Sequence, residues 1–270
     1  MMSDIEQYYK TGVESARLRT GCGKLELKRT HELMDRFLPP PPAVIYDIGG
    51  GTGVYSFWLA GKRHRAHLLD VVPVHIDMAR TAMAAGTAPL LEEAVVGDAR
   101  SLPWPDESAD AVLLLGPLYH LTRRGDRLAC LKEAMRVLRP GGILLASAIS
   151  RFASALDGIR MGYLGDPEFA AIVERDLADG QHQNPTDHPE YFMAAHFHHP
   201  DELRGEVAEA GLSVDGVFGI EGPGWLAQDF DAWWSDPDRR ERLLHLARRL
   251  ETEPALAGIS AHLLAAARKP

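Results

Sequence analysis

VIYDIGGGTGVYS, Val44 to Ser56, decides the fold. It opens with an apolar run, Val44, Ile45, Tyr46 and Ile48, interrupted only by Asp47. Gly49, Gly50, Gly51 and Gly53 follow, and then VYSFWLA, which reads as a helix start. The order is a buried strand, a tight turn and a helix whose N-terminus points back at the turn. Glycine permits unusual backbone angles and close approach of a ligand. The unpaired N–H groups at the helix start favour a carboxylate or another anion. Asp47 closes the strand and favours an amine or hydroxyl, so one site with both demands suits a ligand with an amino-acid end and a nucleoside end.

The glycine spacing separates two nucleotide-binding classes. The dinucleotide fingerprint G-x-G-x-x-G would need a third glycine at 54, which is Val54. The observed pattern is acid-x-G-x-G-x-G, from Asp47 through Gly49 and Gly51 to Gly53. It resembles motif I of the class I S-adenosylmethionine-dependent methyltransferases. A glycine turn alone also serves simply to pack a strand on a helix, so the rest of the chain carries the argument.

Outward from this stretch, His64 to Asp70 reads as a second strand ending in an acid, 17 residues past Gly53. An acid there can accept from both ribose hydroxyls; the plainer alternative is a charge at the start of the helix from Val74 to Ala85, which Pro73 opens. Val71 follows Asp70 and is also a candidate cofactor-binding residue. Leu90 to Val96 leads to Gly97-Asp98-Ala99, similar to the family motif that holds adenine. The resemblance implies that Asp98 accepts from the exocyclic amine and that the Ala99 amide donates to a ring nitrogen; an ordinary Gly-Asp turn is the alternative. Leu102-Pro103-Trp104-Pro105 offers apolar surface for the ring. Ser108 to Leu115 is nearly all apolar and reads as a strand buried on both faces. Its mouth, LGPLYHL from Leu115 to Leu121, resembles motif IV of small-molecule methyltransferases, with backbone near the sulfonium. His120 is then a candidate general base and Tyr119 a group that orients the acceptor or shields the cation. A histidine fastened to backbone is the competing reading.

Arg123 to Val137 reads as a helix, and Arg139-Pro140-Gly141-Gly142 introduces a fifth strand, Ile143 to Ala148. That phrase again resembles the family. Leu212 to Ile220 and Ile259 to Ala267 complete an expected seven-stranded, mostly parallel, doubly wound α/β sheet, the last strand antiparallel as in the family. The expected division is an N-terminal helical cap at 1–40, a Rossmann-like core at 41–150, a lid at 151–199, and completion of the sheet at 200–270 with a helical insertion at about 222–257. Ser3, Asp4, Ile5, Tyr8 and Tyr9 belong to a first cap helix. Arg29, on the second, is placed to meet the carboxylate of S-adenosylmethionine, and Tyr8, Tyr9 and Arg17 to line the substrate side. Leu115 supplies backbone to the same ligand.

Histidines 182, 188, 196, 198 and 199 show no metal-ligand spacing, and no metal is expected. His196 and His198 alternate and would share a face if extended, which makes them second candidates for catalysis. Trp233, Trp234, Leu243, Leu244, Leu246 and Leu250 read as core or a homodimer face, and Arg239, Arg240, Arg242, Arg248 and Arg249 as a solvated helix face.

Composition sets the outer bounds. The 270 residues carry a net charge of −9, so no nucleic-acid partner is expected. Two cysteines, Cys22 and Cys130, form no framework. There is no signal peptide pattern and no apolar run of spanning length, so a cytoplasmic protein without membrane attachment is expected. The combined reading is an enzyme that moves the methyl of S-adenosylmethionine to an O, N or C nucleophile of a small molecule, leaving S-adenosylhomocysteine. A protein or peptide acceptor, or a non-catalytic S-adenosylmethionine-binding regulator, are the alternatives; an NAD-binding oxidoreductase is disfavoured by Val54.

Overall fold

The computed structural model describes residues 17–186 and 188–270. Helix α1 (Gly23–Phe37) precedes β1 (Val44–Ile48), α2 (Val54–Gly61), β2 (Arg65–Asp70), α3 (Pro73–Ala84), β3 (Glu93–Val96) and β4 (Ala109–Leu114). A single turn, α4 (Pro117–His120), leads to α5 (Arg124–Val137) and β5 (Leu138–Ser150). Then come α6 (Ala153–Met161), α7 (Pro167–Asp179), β6 (Gln181–His182), β7 (Ala195–His198), α8 (Pro200–Glu209) and β8 (Ser213–Gly219). Helices α9 (Phe230–Ser235) and α10 (Pro237–Leu250) and strand β9 (His262–Arg268) complete the order.

The main sheet runs β3-β2-β1-β4-β5-β9-β8. Strands β1 to β5 pair in parallel, and β9 is antiparallel to both β5 and β8. Central strands bury both faces: β4 is apolar at every residue except Asp110, and Ala111 to Leu114 are fully buried. One core layer packs Leu131, Ala134, Leu203 and Val207 of α5 and α8 against Val112, Leu144 and Ala265. The other sets Leu33 and Met34 of α1 with Leu59 of α2 against Ile45, Leu113 and Leu145.

The expectation of seven strands is corrected in one place. Strand β5 runs on to Ser150, past the register of β4, which ends at Leu114 opposite Ala146. Strand β7 takes the vacated edge, pairing Phe197 with Ile149 and His198 with Ser150, and β6 pairs with β7. The described sheet thus holds nine strands, two of them inside the expected lid. The Pro140-Gly141-Gly142 phrase lies at the N-terminal end of β5, where Gly141 takes φ 76° and donates to Lys269 O. It shapes the end of the sheet remote from the strand mouths. The first cap helix expected around Ser3 to Tyr9 lies outside the described residues.

The region 222–257 packs on α1. Leu25 joins Phe230, Leu243 and Leu244 in a small core that Trp233 and Trp234 border. Much of the tryptophan and leucine stripe is therefore intramolecular core. The arginine face is not wholly solvated: Arg248 reaches Glu32 on α1 at 2.8 Å.

Candidate active site

Chain reversal at the strand mouths builds the site. Gly49 and Gly51 hold φ 68° and 59°, a region that residues with a Cβ rarely enter. A Cβ on Gly49 would also lie 2.6 Å from Pro117 Cγ, so glycine lets the first strand's turn meet the fourth strand's mouth. A Cβ on Gly51 would meet nothing nearer than 4.0 Å, because that residue faces open cleft. Gly49 N–H donates to Leu69 O at 2.7 Å, which docks the turn on β2.

Asp70 holds this junction together. Its Oδ2 accepts from Gly51 N–H at 2.8 Å and its Oδ1 from Val72 N–H at 2.9 Å, with His75 Nδ1 at 3.1 Å. Oδ2 keeps a further lone pair for a ligand hydroxyl, whereas Oδ1 already has two partners. Asp47 lies beneath the turn and does not line the cleft. Its Oδ2 accepts from Ser56 at 2.6 Å, and burial raises its pKa to about 6, partly offset by the Ser56 hydroxyl and reinforced by the Asp70 charge.

A cavity of about 270 Å³ occupies the mouths of β1, β2, β3 and β4. Gly49, Gly51, Asp70, Val71, Asp98, Ala99, Leu115, Tyr119 and His120 all border it. Such a crevice at the carboxyl ends of strands is where open α/β sheets take ligands. Asp98 arrives already engaged: Arg100 Nη2 donates to its Oδ2 at 2.6 Å, and that bond lowers the Asp98 pKa. His120 is held neutral by burial, its pKa pushed down to about 4.

Three expected ligand residues are not brought there: Asp47, beneath the turn, and also Gly53 and Arg29. Gly53 caps α2 at φ 90° behind the turn, beside Phe57. Arg29 is fully buried elsewhere, donating to Ile220 O at 3.3 Å and pairing with Glu32 and Glu251. It staples α1 to the 222–257 region, because a buried guanidinium must be neutralised locally. Leu102 and Trp104 are core residues, Trp104 stacking on Tyr46 with centroids 4.0 Å apart, and they do not border the cleft. His196 and His198 do share a face, their rings 4.6 Å apart, but His196 bonds Glu202 and His198 bonds Glu206. His199 accepts from Asp201 N–H and caps α8.

The sequence did not single out Glu26, Tyr55, His75, Met78 or Arg100 as cleft residues, yet all border it. Arg17, expected on the substrate side, does border it and pairs with Glu26 through two bonds, one of 3.0 Å. A second cavity of about 290 Å³ adjoins, with Arg17 and Tyr119 in its wall as well as in the cleft's. Phe169, Tyr191, Phe192, Phe197 and Trp225 face it, together with His262. Among the described residues, Glu26, Glu221 and His262 also place one ligand-type atom each within 4.8 Å of one another. None of the five histidines of 182–199 belongs to that group.

A β3-β2-β1-β4-β5 parallel core with an antiparallel strand beyond β5, and a glycine turn over an acid at the end of β2, define the class. Residues 46–146 match the family described as Methyltransferase domain, and this part of the chain is a class I S-adenosylmethionine-dependent methyltransferase domain. The chain is 33% identical over 124 residues to a ubiquinone/menaquinone biosynthesis C-methyltransferase (UbiE) of Caulobacter sp. strain K31, covering 43% of this chain and 48% of that protein. It is 37% identical over 131 residues to a malonyl-[acyl-carrier protein] O-methyltransferase of Methylococcus capsulatus, covering 47% and 44%. The chain thus spans about half the length of the curated relatives it matches. A structure of an S-adenosylmethionine-dependent methyltransferase from Methanosarcina mazei shares the fold, with TM-score 0.60 and 22% identity over 88% of this chain and 96% of that one. No helix among the described residues is long and apolar enough to cross a membrane.

Proposed function

We propose that this chain binds S-adenosylmethionine in the cleft at 49–51, 70 and 98 and transfers its methyl group to a small planar acceptor held in the adjoining cavity. The observation that carries this reading is the common wall: Tyr119 and Arg17 border both spaces, so a donor in one and an acceptor in the other meet across them. The residues fit the donor. Asp70 Oδ2 offers a carboxylate lone pair for a ribose hydroxyl, Asp98 and Ala99 border the cleft and would take the adenine, and the open face of Gly51 leaves room for the amino-acid end. Bound there, S-adenosylmethionine supplies a methyl group on a positively charged sulfur and departs as a neutral thioether.

The protein's part is to hold the acceptor in line and exclude water, which provides most of the gain in such transfers. Tyr119 is assigned to the acceptor side of the joint wall. His120, neutral and partly buried, serves as a hydrogen-bonding wall group, since a conjugate acid near pKa 4 holds a proton poorly at neutral pH. Residues 151–199 act as a lid carrying the acceptor cavity, and 17–40 as the cap over the cleft. Six aromatic rings and a volume of about 290 Å³ suit a one- or two-ring acceptor better than a peptide. The curated relatives point the same way in part, one named for quinone biosynthesis and the other for a carrier-bound malonyl group.

The test is transfer of isotopically labelled methyl from S-adenosylmethionine to catechol, 4-hydroxybenzoate and 1,4-naphthohydroquinone. Labelled product from at least one, lost when Tyr119→Ala is introduced, is expected. No product from any of them, with the donor shown to bind, contradicts the acceptor class.

A further inference from the structure

His262 opens β9 with its imidazole at the acceptor cavity. Its Nδ1 lies 2.6 Å from Glu221 Oε1 and 3.7 Å from Glu26 Oε2. Glu221 cannot swing away. It is 2% exposed, and its Oε2 accepts from the Ser260 hydroxyl at 2.6 Å and from His262 N–H at 3.0 Å. The carboxylate therefore fixes the neutral ring with its proton on Nδ1 and the lone pair on Nε2. Among the described residues Nε2 has no hydrogen-bond partner, and it is not among the sealed polar atoms. His182, by contrast, uses both nitrogens, bonding Asp176 and Tyr191 O, each at 2.8 Å.

We propose that His262 is the general base of the methyl transfer and that Glu221 is its positioning residue. This rests on the acceptor reading above. Nε2 takes the proton of the acceptor's O–H or N–H. The electron pair of that bond forms the new bond to the methyl carbon, and the pair of the broken carbon–sulfur bond stays on sulfur. The proton remains on His262 and leaves to water. Burial disfavours the imidazolium, but the carboxylates of Glu26 and Glu221 outweigh it and raise the His262 pKa, while Arg17, paired to Glu26, opposes them. Asp157 and Arg160 of α6, Cys22, Tyr119, His182, Glu190 and Tyr191 are the other charged and titratable groups around this cavity.

Histidine-labelled NMR of the protein alone, and kcat/KM against pH with catechol as acceptor, test the proposal together. In wild type the His262 pKa should exceed the ordinary value of about 6.5, and kcat/KM should rise with pH through it. His262→Asn should lower kcat on the order of 100-fold, erase that limb and leave S-adenosylmethionine affinity within about twofold, since His262 does not border the donor cleft. Glu221→Gln should move both the limb and the NMR pKa to lower pH. Undiminished kcat in His262→Asn overturns the base assignment, and an unmoved pKa in Glu221→Gln overturns the positioning. Activity removed by a chelator and restored by Zn²⁺ would make Glu26, Glu221 and His262 metal ligands and equally overturn it. Wild type that binds the donor but methylates no acceptor fails the underlying reading, a result visible without any variant.

Discussion

Asp47 shows how one residue's burial sets a pH-dependent term. Its carboxyl is fully buried with a pKa raised to about 6. A carboxylate raised in the folded state stabilises fully below its unfolded value, near 3.9, and loses that contribution as pH rises through about 6. Asp47→Asn keeps an oxygen acceptor for Ser56 and cannot ionise. The variant should therefore gain about 3 kcal/mol over wild type in urea unfolding at pH 8 and only about 1 kcal/mol at pH 4.5. An equal gain at both pH values, or a loss at pH 8, would contradict the account. Asp70, which accepts from Gly51 N–H of the turn, was legible because the strand that ends on it is local in sequence. Arg29 was misplaced because its decisive partner, Glu251, is 222 residues away, and no local pattern announces such a pair. His262 escaped notice for the same reason: Glu221 sits on another stretch, brought near by the antiparallel pairing of β8 with β9.

Helix α8 carries the acidic side of a buried network that ties the lid to the core. Arg127 of α5 donates to Glu206 at 2.7 and 2.9 Å and to the carbonyls of Leu121 and Thr122, just past the His120 turn. His198 of β7 reaches Glu206 from the other side at 3.4 Å. Burial alone would raise the Glu206 pKa, but bonds from His198 and Arg127 bring it down to about 2. Its stabilising contribution is present above the unfolded value, near 4.3, and fades as pH falls toward 2. Removing one partner strands a buried guanidinium, so Glu206→Ala should cost about 3 kcal/mol in denaturant unfolding at pH 7. A loss under about 0.5 kcal/mol would show the network to be incidental. The sequence pattern offered long elements well, since β4 and α5 have clear apolar signatures. It did not offer β6 and β7, of two and four residues, because strands this short exist only by pairing with the extended end of β5.

At the scale of the whole molecule, one sheet organises three separate pieces of chain around adjoining spaces. Turns after β1, β2 and β3 border the proposed donor cleft, the residues after β5 border the adjoining cavity as the proposed lid, and α1 is tied to the 222–257 region through Arg29, Glu32, Arg248 and Glu251. The motifs after β1, β2 and β3 were readable because each is a turn at a strand's carboxyl end, and Arg139-Pro140-Gly141-Gly142 because it is a local backbone phrase at the start of β5. The acceptor cavity was not, because its walls come from Tyr119, the 150–200 region and Trp225, which meet only in the folded chain. The central claim is that this cleft is built for S-adenosylmethionine. Calorimetric titration of wild type and Asp70→Ala with S-adenosylmethionine, S-adenosylhomocysteine and NAD⁺ tests it directly. The account predicts saturable binding of both sulfur ligands to wild type, none of NAD⁺, and affinity at least tenfold weaker in Asp70→Ala, equivalent to about 1.4 kcal/mol. Binding of NAD⁺ in place of the sulfur ligands, or undiminished S-adenosylmethionine affinity in Asp70→Ala, would contradict it.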